Sequence, residues 1–231
     1  MNLVFDIGCN VGNFSKAILK KYPNVQILAI DANEGFGKFY ERSPSITFVN
    51  CLVSNKDNEN IDFYSHSENT GISTASKEFL TNSRFAAGSK YVGGNSYAGI
   101  IPYKVPTITL DSLINHYGCP DLIKIDVEGY ELEVLSGLTN KQNIIEFEWT
   151  EELKDNLIKC IHHLSGIGYN EFGIIGYFDE GDVFSRSTYT NEGDAYLLHP
   201  KQYFSLEEIV EEVEHICNPS RKVNYGMFFV K

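Results

Sequence analysis

Apolar residues fall along this chain in short runs that alternate with polar stretches of helical spacing. Residues 3–7 and 25–30 are nearly continuous apolar runs of strand length, the pattern of strands buried on both faces of a parallel sheet. Between them Phe14, Ala17, Ile18 and Tyr22 recur at helical spacing, which predicts a helix over 12–22 stopped by Pro23. A short helix over 35–42 and a strand over 46–50 follow. The order β-α-β-α-β with short links indicates a doubly wound sheet.

The rhythm lapses after residue 64. Residues 65–76 are rich in Ser, Thr, Asn and Gly, and 86–100 interleave Gly88, Gly93, Gly94 and Gly99 with Tyr91 and Tyr97. Loops this long inside a domain are functional lids or disordered. Strands are predicted again at 104–109, 121–126, 144–149, 169–174 and 194–198, with helices at 110–116, 129–138 and 151–164. Leu206, Ile209, Val210, Val213, Ile216 and Cys217 then form one apolar stripe opposite Glu207, Glu208, Glu211, Glu212 and Glu214, the mark of an amphipathic helix. The expected architecture is α/β: a doubly wound, mostly parallel, seven-stranded, Rossmann-like sheet in one domain over 1–231. Insertions at 65–103 and 175–191 would frame an acceptor, and 203–231 would be a C-terminal extension built on the helix.

Composition narrows the function. The chain has 231 residues, 42% hydrophobic and 22% charged, as expected of a soluble globular protein. Its net charge of −12, without a Lys/Arg cluster, argues against a nucleic-acid partner held through phosphates and favours a neutral or cationic ligand. The five cysteines (9, 51, 119, 160, 217) contain no C-x-x-C pair, so neither a zinc site nor a disulfide framework is expected, and a reducing cytoplasmic setting is. No apolar run approaches the roughly 20 residues of a membrane span, and no secretion signal is evident. The first strand begins at once, so the chain reads either as a minimal protein or as a domain of a longer polypeptide.

The candidate chemistry sits at strand ends. Asp6-Ile7-Gly8-Cys9-Asn10-Val11-Gly12 is a strand, a glycine turn and a helix start. It departs from the dinucleotide pattern G-x-G-x-x-G, since Asn10 stands where the second glycine would let a pyrophosphate approach. Asp6 would also repel phosphates. An amino-acid-like ligand reverses this argument, because Asp6 could attract an ammonium while the helix start after Gly12 favours a carboxylate. Asp31 ends the second strand, where an acid commonly holds ribose hydroxyls. A ligand with an amino-acid end, a ribose and a positive sulfur fits: S-adenosylmethionine.

Lys124-Ile-Asp126-Val-Glu128-Gly129-x-Glu131-Leu132-x-Val134-Leu135-x-Gly137, taken with Asp6-x-Gly8-x-Asn10-x-Gly12 and Leu110-Asp111, resembles the FkbM-type class I methyltransferases over roughly residues 3–149. The resemblance implies an S-adenosylmethionine-dependent O-methyltransferase acting on a small molecule, most often a sugar unit of a glycan or glycoside. It also implies work beside, or fusion to, glycan-synthesis enzymes. By the same resemblance Gly8, Cys9, Asn10, Gly12 and Asn13 would hold the methionine end and Asp31 the ribose. Ala32, Asn33, Cys51 and Leu52 would lie near the adenine.

Asp126 and Glu128 are the best-placed groups to accept the acceptor's proton, and Asp126 also borders the cofactor. Lys124 shares a strand face with Asp126 and would orient it or pair with an acid. If a divalent metal (Mg²⁺ or Mn²⁺) takes part, Asp126 and Glu148 are its expected ligands. Glu131 reads as solvated or capping. Tyr91, Tyr97, Tyr103, Tyr177, Phe178 and Tyr189 could present flat faces to a carbohydrate acceptor. Two alternatives stay open: an NAD-type oxidoreductase, and a non-catalytic cofactor-binding scaffold domain.

Overall fold

The computed structural model describes residues 1–66, 70–84, 86, 100, 102–178, 183–184, 189–191, 197–200, 202–217 and 223–231. The chain begins with β1 (Leu3–Ile7), α1 (Asn13–Lys21), β2 (Gln26–Asp31), a 3₁₀ turn at Glu34–Phe39 and β3 (Ile46–Asn50). The middle holds β4 (Leu52–Val53), β5 (Asn60–Phe63), α2 (Lys77–Asn82), β6 (Tyr103–Ile108), α3 (Leu110–Tyr117), β7 (Leu122–Ile125) and α4 (Glu131–Ser136). It ends with β8 (Ile144–Thr150), α5 (Lys154–Gly166), β9 (Phe172–Phe178), β10 (Val183–Phe184), β11 (Tyr189–Asn191), β12 (Leu198–Pro200), α6 (Leu206–Ile216) and β13 (Val223–Val230).

The main sheet has the order β10-β9-β13-β8-β7-β1-β2-β3. β1 is parallel to both β2 and β7, and β2–β3 and β7–β8 are parallel as well. This is the expected doubly wound sheet of seven strands, with the two-residue β10 added at one edge. Winding reverses direction between β1 and β7, so the carboxyl ends of these two strands open a crevice where α/β proteins bind ligands.

One expectation is corrected and one strand gains its place. Residues 223–230 are not an appendage following a helix: β13 lies inside the sheet, antiparallel to β8 and β9. Its Phe228 and Val230 are fully buried in the main core, a contribution of roughly 1.5–3 kcal/mol for each such side chain. The strand predicted at 104–109 exists as β6 but joins a separate small sheet of order β4-β6-β5. Its exposed Tyr103, Lys104 and Pro106 alternate with buried Val105 and Thr107, a pattern for one covered face rather than a sheet centre.

Helices cover the two faces unequally. Leu113 of α3, Val134 of α4, Leu157 and Ile161 of α5, and Ile209 and Val213 of α6 share one core with Phe5, Ile123 and Phe147. On the opposite face Phe14, Ala17 and Ile18 of α1 pack on Val4, Ile27 and Ala29. α6 opens with a reciprocal Ser205–Glu208 capping box and buries the stripe read from sequence at Ile209, Val213 and Ile216. Among the described residues no helix is long and apolar enough to cross a membrane.

Candidate active site

The glycine turn is shaped by close backbone contact. Gly8 has φ +72°, and a Cβ placed there would lie 1.8 Å from the Asp126 carbonyl oxygen. That spacing lets the ends of β1 and β7 touch, while the Gly8 and Cys9 N–H groups donate to Ile30 O at 2.9 and 3.1 Å. Asn10 (φ 45°) and Gly12 (φ 82°) complete the turn, and Gly12 caps α1.

A residue that sequence reading misses clamps this turn. Tyr40 Oη lies 2.9 Å from Cys9 O and 3.0 Å from Asn10 O, sharing its proton between them, and its ring stacks on Phe48. Tyr40→Phe is expected to weaken S-adenosylhomocysteine binding about fivefold, the worth of one hydrogen bond of about 1 kcal/mol. In steady-state kinetics KM for the donor should rise while kcat at saturation holds. Wild-type affinity in this variant by calorimetry would show that the clamp is idle.

Asp31 is turned toward the crevice. Its Oδ2 accepts from Asn10 N–H at 3.0 Å and its Oδ1 from Asn33 N–H at 2.9 Å, leaving lone pairs on both oxygens for a ribose diol. Burial pushes its pKa up to about 6, against the pull of those two N–H donors. It borders a cavity of about 140 Å³ whose wall includes Ala32, Cys51, Leu52 and Phe63. Burial also pushes the Cys51 thiol up to about 12, so this wall is neutral, as a base edge requires. Thr70, Gly71, Ser73 and Ala75 close the cavity from the far side, and Thr70 Oγ1 donates to Asn10 Oδ1 at 3.3 Å.

Three residues expected at the cofactor line neither this cavity nor the larger one that adjoins it. Asp6 is fully buried beneath the turn, with Oδ2 accepting from Ser15 Oγ at 2.6 Å and Oδ1 3.3 Å from Lys124 Nζ, so it offers no direct ammonium contact. Gly12 packs against Tyr40 instead of the crevice. The Asn33 side chain accepts from Gly35 N–H and donates to Ser65 Oγ, capping the 3₁₀ turn. Gly8 and Asn10 line both cavities, and Cys9 and Asn13 line the larger one.

Lys124 is the tie between the two strand ends. Its Nζ lies 3.3 Å from both Asp6 and Asp126 carboxylates and donates to Gly8 O at 3.1 Å. Burial alone would lower its pKa, but Asp126 and Asp6 more than offset this and hold it charged. Its role is therefore the ion pair, which fixes Asp126.

The segment after β7 displays the acids. Glu128 adopts a left-handed φ of 55° and Gly129 one of 85°, a sharp turn held from two sides. Thr74 Oγ1 donates to Glu128 O at 2.8 Å, and Glu131 Oε1 accepts from Val127 and Gly129 N–H at 3.1 and 3.3 Å. Glu131 is thus the capping group anticipated, though buried rather than solvated, and burial pushes its pKa up to about 7.

Asp126, Glu128 and Glu148 each bring a carboxylate oxygen within 4.8 Å of the others. Burial, then repulsion from neighbouring carboxylates, raises Glu128 and Glu148 well above the usual range. Glu148 Oε2 is buried without a hydrogen-bond partner. Such a set favours a cation, or a proton in transit, at its centre.

A second cavity, of about 290 Å³, adjoins the first and shares Gly8, Asn10 and Asp126 with it. Its other walls include Phe14, Lys124, Glu146, Glu148, Tyr225, Met227 and Phe229. Four of these, Glu146 and the three from β13, are absent from the sequence reading. Of the aromatic residues proposed for an acceptor, Tyr91 and Tyr97 lie outside the described residues, as do the side chains of Tyr177, Phe178 and Tyr189. Tyr103 packs edge-on to Phe63 beside the smaller cavity.

Among curated proteins none matches at the significance applied. Solved structures that the chain resembles in shape include a precorrin-6y C5,15-methyltransferase from Geobacter metallireducens GS-15, at TM-score 0.43 and 12% identity over 100% of this chain and 78% of that one. The plantazolicin methyltransferase BpumL, in complex with SAH, matches at 0.41 and 10% over 100% and 76%. A SAM-dependent methyltransferase from Archaeoglobus fulgidus matches at 0.40 and 14% over 100% and 86%. The assignment itself rests on the family model for the methyltransferase FkbM domain, which matches residues 6–169. On that match, the chain belongs to the FkbM methyltransferase family.

Proposed function

We propose that this enzyme methylates a hydroxyl of a small molecule, with a sugar unit of a glycan or glycoside as the preferred class. The observation that carries the reading is the meeting of two cavities at Gly8, Asn10 and Asp126, with the carboxylates on their shared border. The smaller cavity suits the adenosine and the larger one the acceptor, so the reactive methyl would cross between them.

The chemistry follows from charge. The sulfonium is already electrophilic, and alignment of an acceptor oxygen with the methyl can supply on the order of 7–11 kcal/mol. As the O–C bond forms, the C–S bond breaks and its electron pair returns to sulfur as a neutral thioether. The hydroxyl proton passes to Glu128 or Asp126. A carboxylate is a weak base toward an alcohol, so proton loss accompanies methyl transfer, and the burial that raises Glu128 makes it the stronger base of its type.

The same three acids also fit a divalent ion of the Mg²⁺ or Mn²⁺ type, and the buried, unpartnered Glu148 Oε2 favours this second reading. Bound there, the ion would acidify the hydroxyl. Five free thiols support a reducing, cytoplasmic setting, and a sugar acceptor would link the enzyme to glycan-synthesis enzymes.

Calorimetry with S-adenosylhomocysteine tests the donor site. Ribose hydroxyls donate to ionised Asp31, so affinity should be full above its raised pKa and fall as pH drops through about 6. Asp31→Ala should lose most of the affinity at every pH. No binding by folded protein at millimolar ligand removes the reading. A screen of mono- and oligosaccharides with radiolabelled donor, with and without chelator, addresses acceptor and metal together. Donor binding without transfer to any acceptor would point to the scaffold alternative.

A further inference from the structure

Glu146 stands apart from the three acids at the cavity border. It lies on β8 opposite Lys124 of β7 and Phe229 of β13, two residues before Glu148 and on the same face of the strand. Its side chain is 4% exposed, yet it lines the larger cavity. Among the described residues it takes part in no hydrogen bond or ion pair. The one cation nearby, Lys124, is committed to Asp6, Asp126 and the Gly8 carbonyl.

An acid this buried, sharing its cavity with Phe14, Met227 and Phe229 and making no hydrogen bond or ion pair among the described residues, carries a desolvation penalty that a cation repays better than a neutral hydroxyl. The three acids at the border already offer a divalent ion its carboxylate oxygens, whereas the side chains of Phe14, Met227 and Phe229 in Glu146's cavity offer none. An organic ammonium is satisfied by one or two carboxylates and is favoured further by aromatic faces.

Accepting the methyl-transfer reading above, we infer that the acceptor carries a protonated amine near the hydroxyl that is methylated. Glu146, with Glu148 beside it, receives that amine and sets acceptor specificity. Amino sugars and amino alcohols are the substrate classes that fit.

The test uses the whole chain saturated with S-adenosylhomocysteine and matched probe pairs: glucosamine against glucose, galactosamine against galactose, and 2-aminocyclohexanol against cyclohexane-1,2-diol. Binding is read by ligand-observed NMR and calorimetry. The amine member of at least one pair should bind about tenfold more tightly than its neutral partner. Glu146→Gln should bring that ratio near one while leaving S-adenosylhomocysteine affinity and the melting temperature close to wild type. A melting scan checks the fold of the variant, and the wild-type ratio needs no variant at all.

Equal binding within every pair, or no amine binding at millimolar concentration, overturns the inference. So does a Glu146→Gln protein that loses S-adenosylhomocysteine instead, because the carboxylate would then serve the donor's own ammonium. Failure of the wild type to bind S-adenosylhomocysteine strikes the methyl-transfer reading itself, and is thereby told apart.

Discussion

Gly8→Ala should abolish donor binding and remove a large part of the fold's stability. The added methyl would sit 1.8 Å from the Asp126 carbonyl oxygen, and backbone cannot swing aside as a side chain can. The residue also holds φ +72°, which costs an alanine about 1–2 kcal/mol. Overpacking adds typically 1–3 kcal/mol, so a total on the order of 3 kcal/mol is expected. Urea denaturation measures the loss, and calorimetry with S-adenosylhomocysteine should give no heat. Gly12→Ala is the milder comparison: its φ of +82° carries the same conformational cost, but its Cβ would meet the Tyr40 side chain, at 3.0 Å, rather than backbone. A Gly8→Ala protein that binds with wild-type affinity would mean that the ends of β1 and β7 are not in contact.

Glu128→Gln should lower kcat by about 10²–10⁴, the range for a lost general base, with Asp126→Asn falling nearly as far. S-adenosylhomocysteine carries no sulfonium charge, so its affinity should hold in Glu128→Gln. The carboxylate must be ionised to accept a proton, and its pKa is raised, so the wild-type rate climbs with pH through that raised value. This limb should vanish in Glu128→Gln. Removing one of several repelling acids should leave the melting temperature unchanged or higher, which a purely structural role would not allow. Normal turnover in both variants excludes them as proton acceptors.

Much of this site is legible in the chain because its chemistry is local. A strand that stops at a glycine turn, and a strand that stops at Asp126-Val127-Glu128-Gly129, each declare themselves within ten residues. What stays hidden depends on distant partners. Asp6 reads as a ligand because it ends an apolar run, yet Ser15 and Lys124 enclose it from two other elements. Tyr40 sits in a weak helical stretch and acts on a turn thirty positions away. Glu146 and Glu148 alternate with Phe147 and Trp149, a visible period of two, but the apolar wall opposite them comes from β13. That strand follows a strong helical pattern over 206–217, which draws attention away from Met227-Phe228-Phe229-Val230.

The place of β13 bears on how the protein is made. Its two neighbours, β8 and β9, leave the ribosome some fifty to eighty residues ahead of it, and they share no direct pairing. A nascent chain therefore carries an open seam through the middle of its sheet until Val230 emerges, and contacts of such long sequence separation form slowly. The two cavities differ in the same way: every residue lining the smaller one lies between Ile7 and Glu128, whereas the larger one has no complete wall until Tyr225, Met227 and Phe229 are in place.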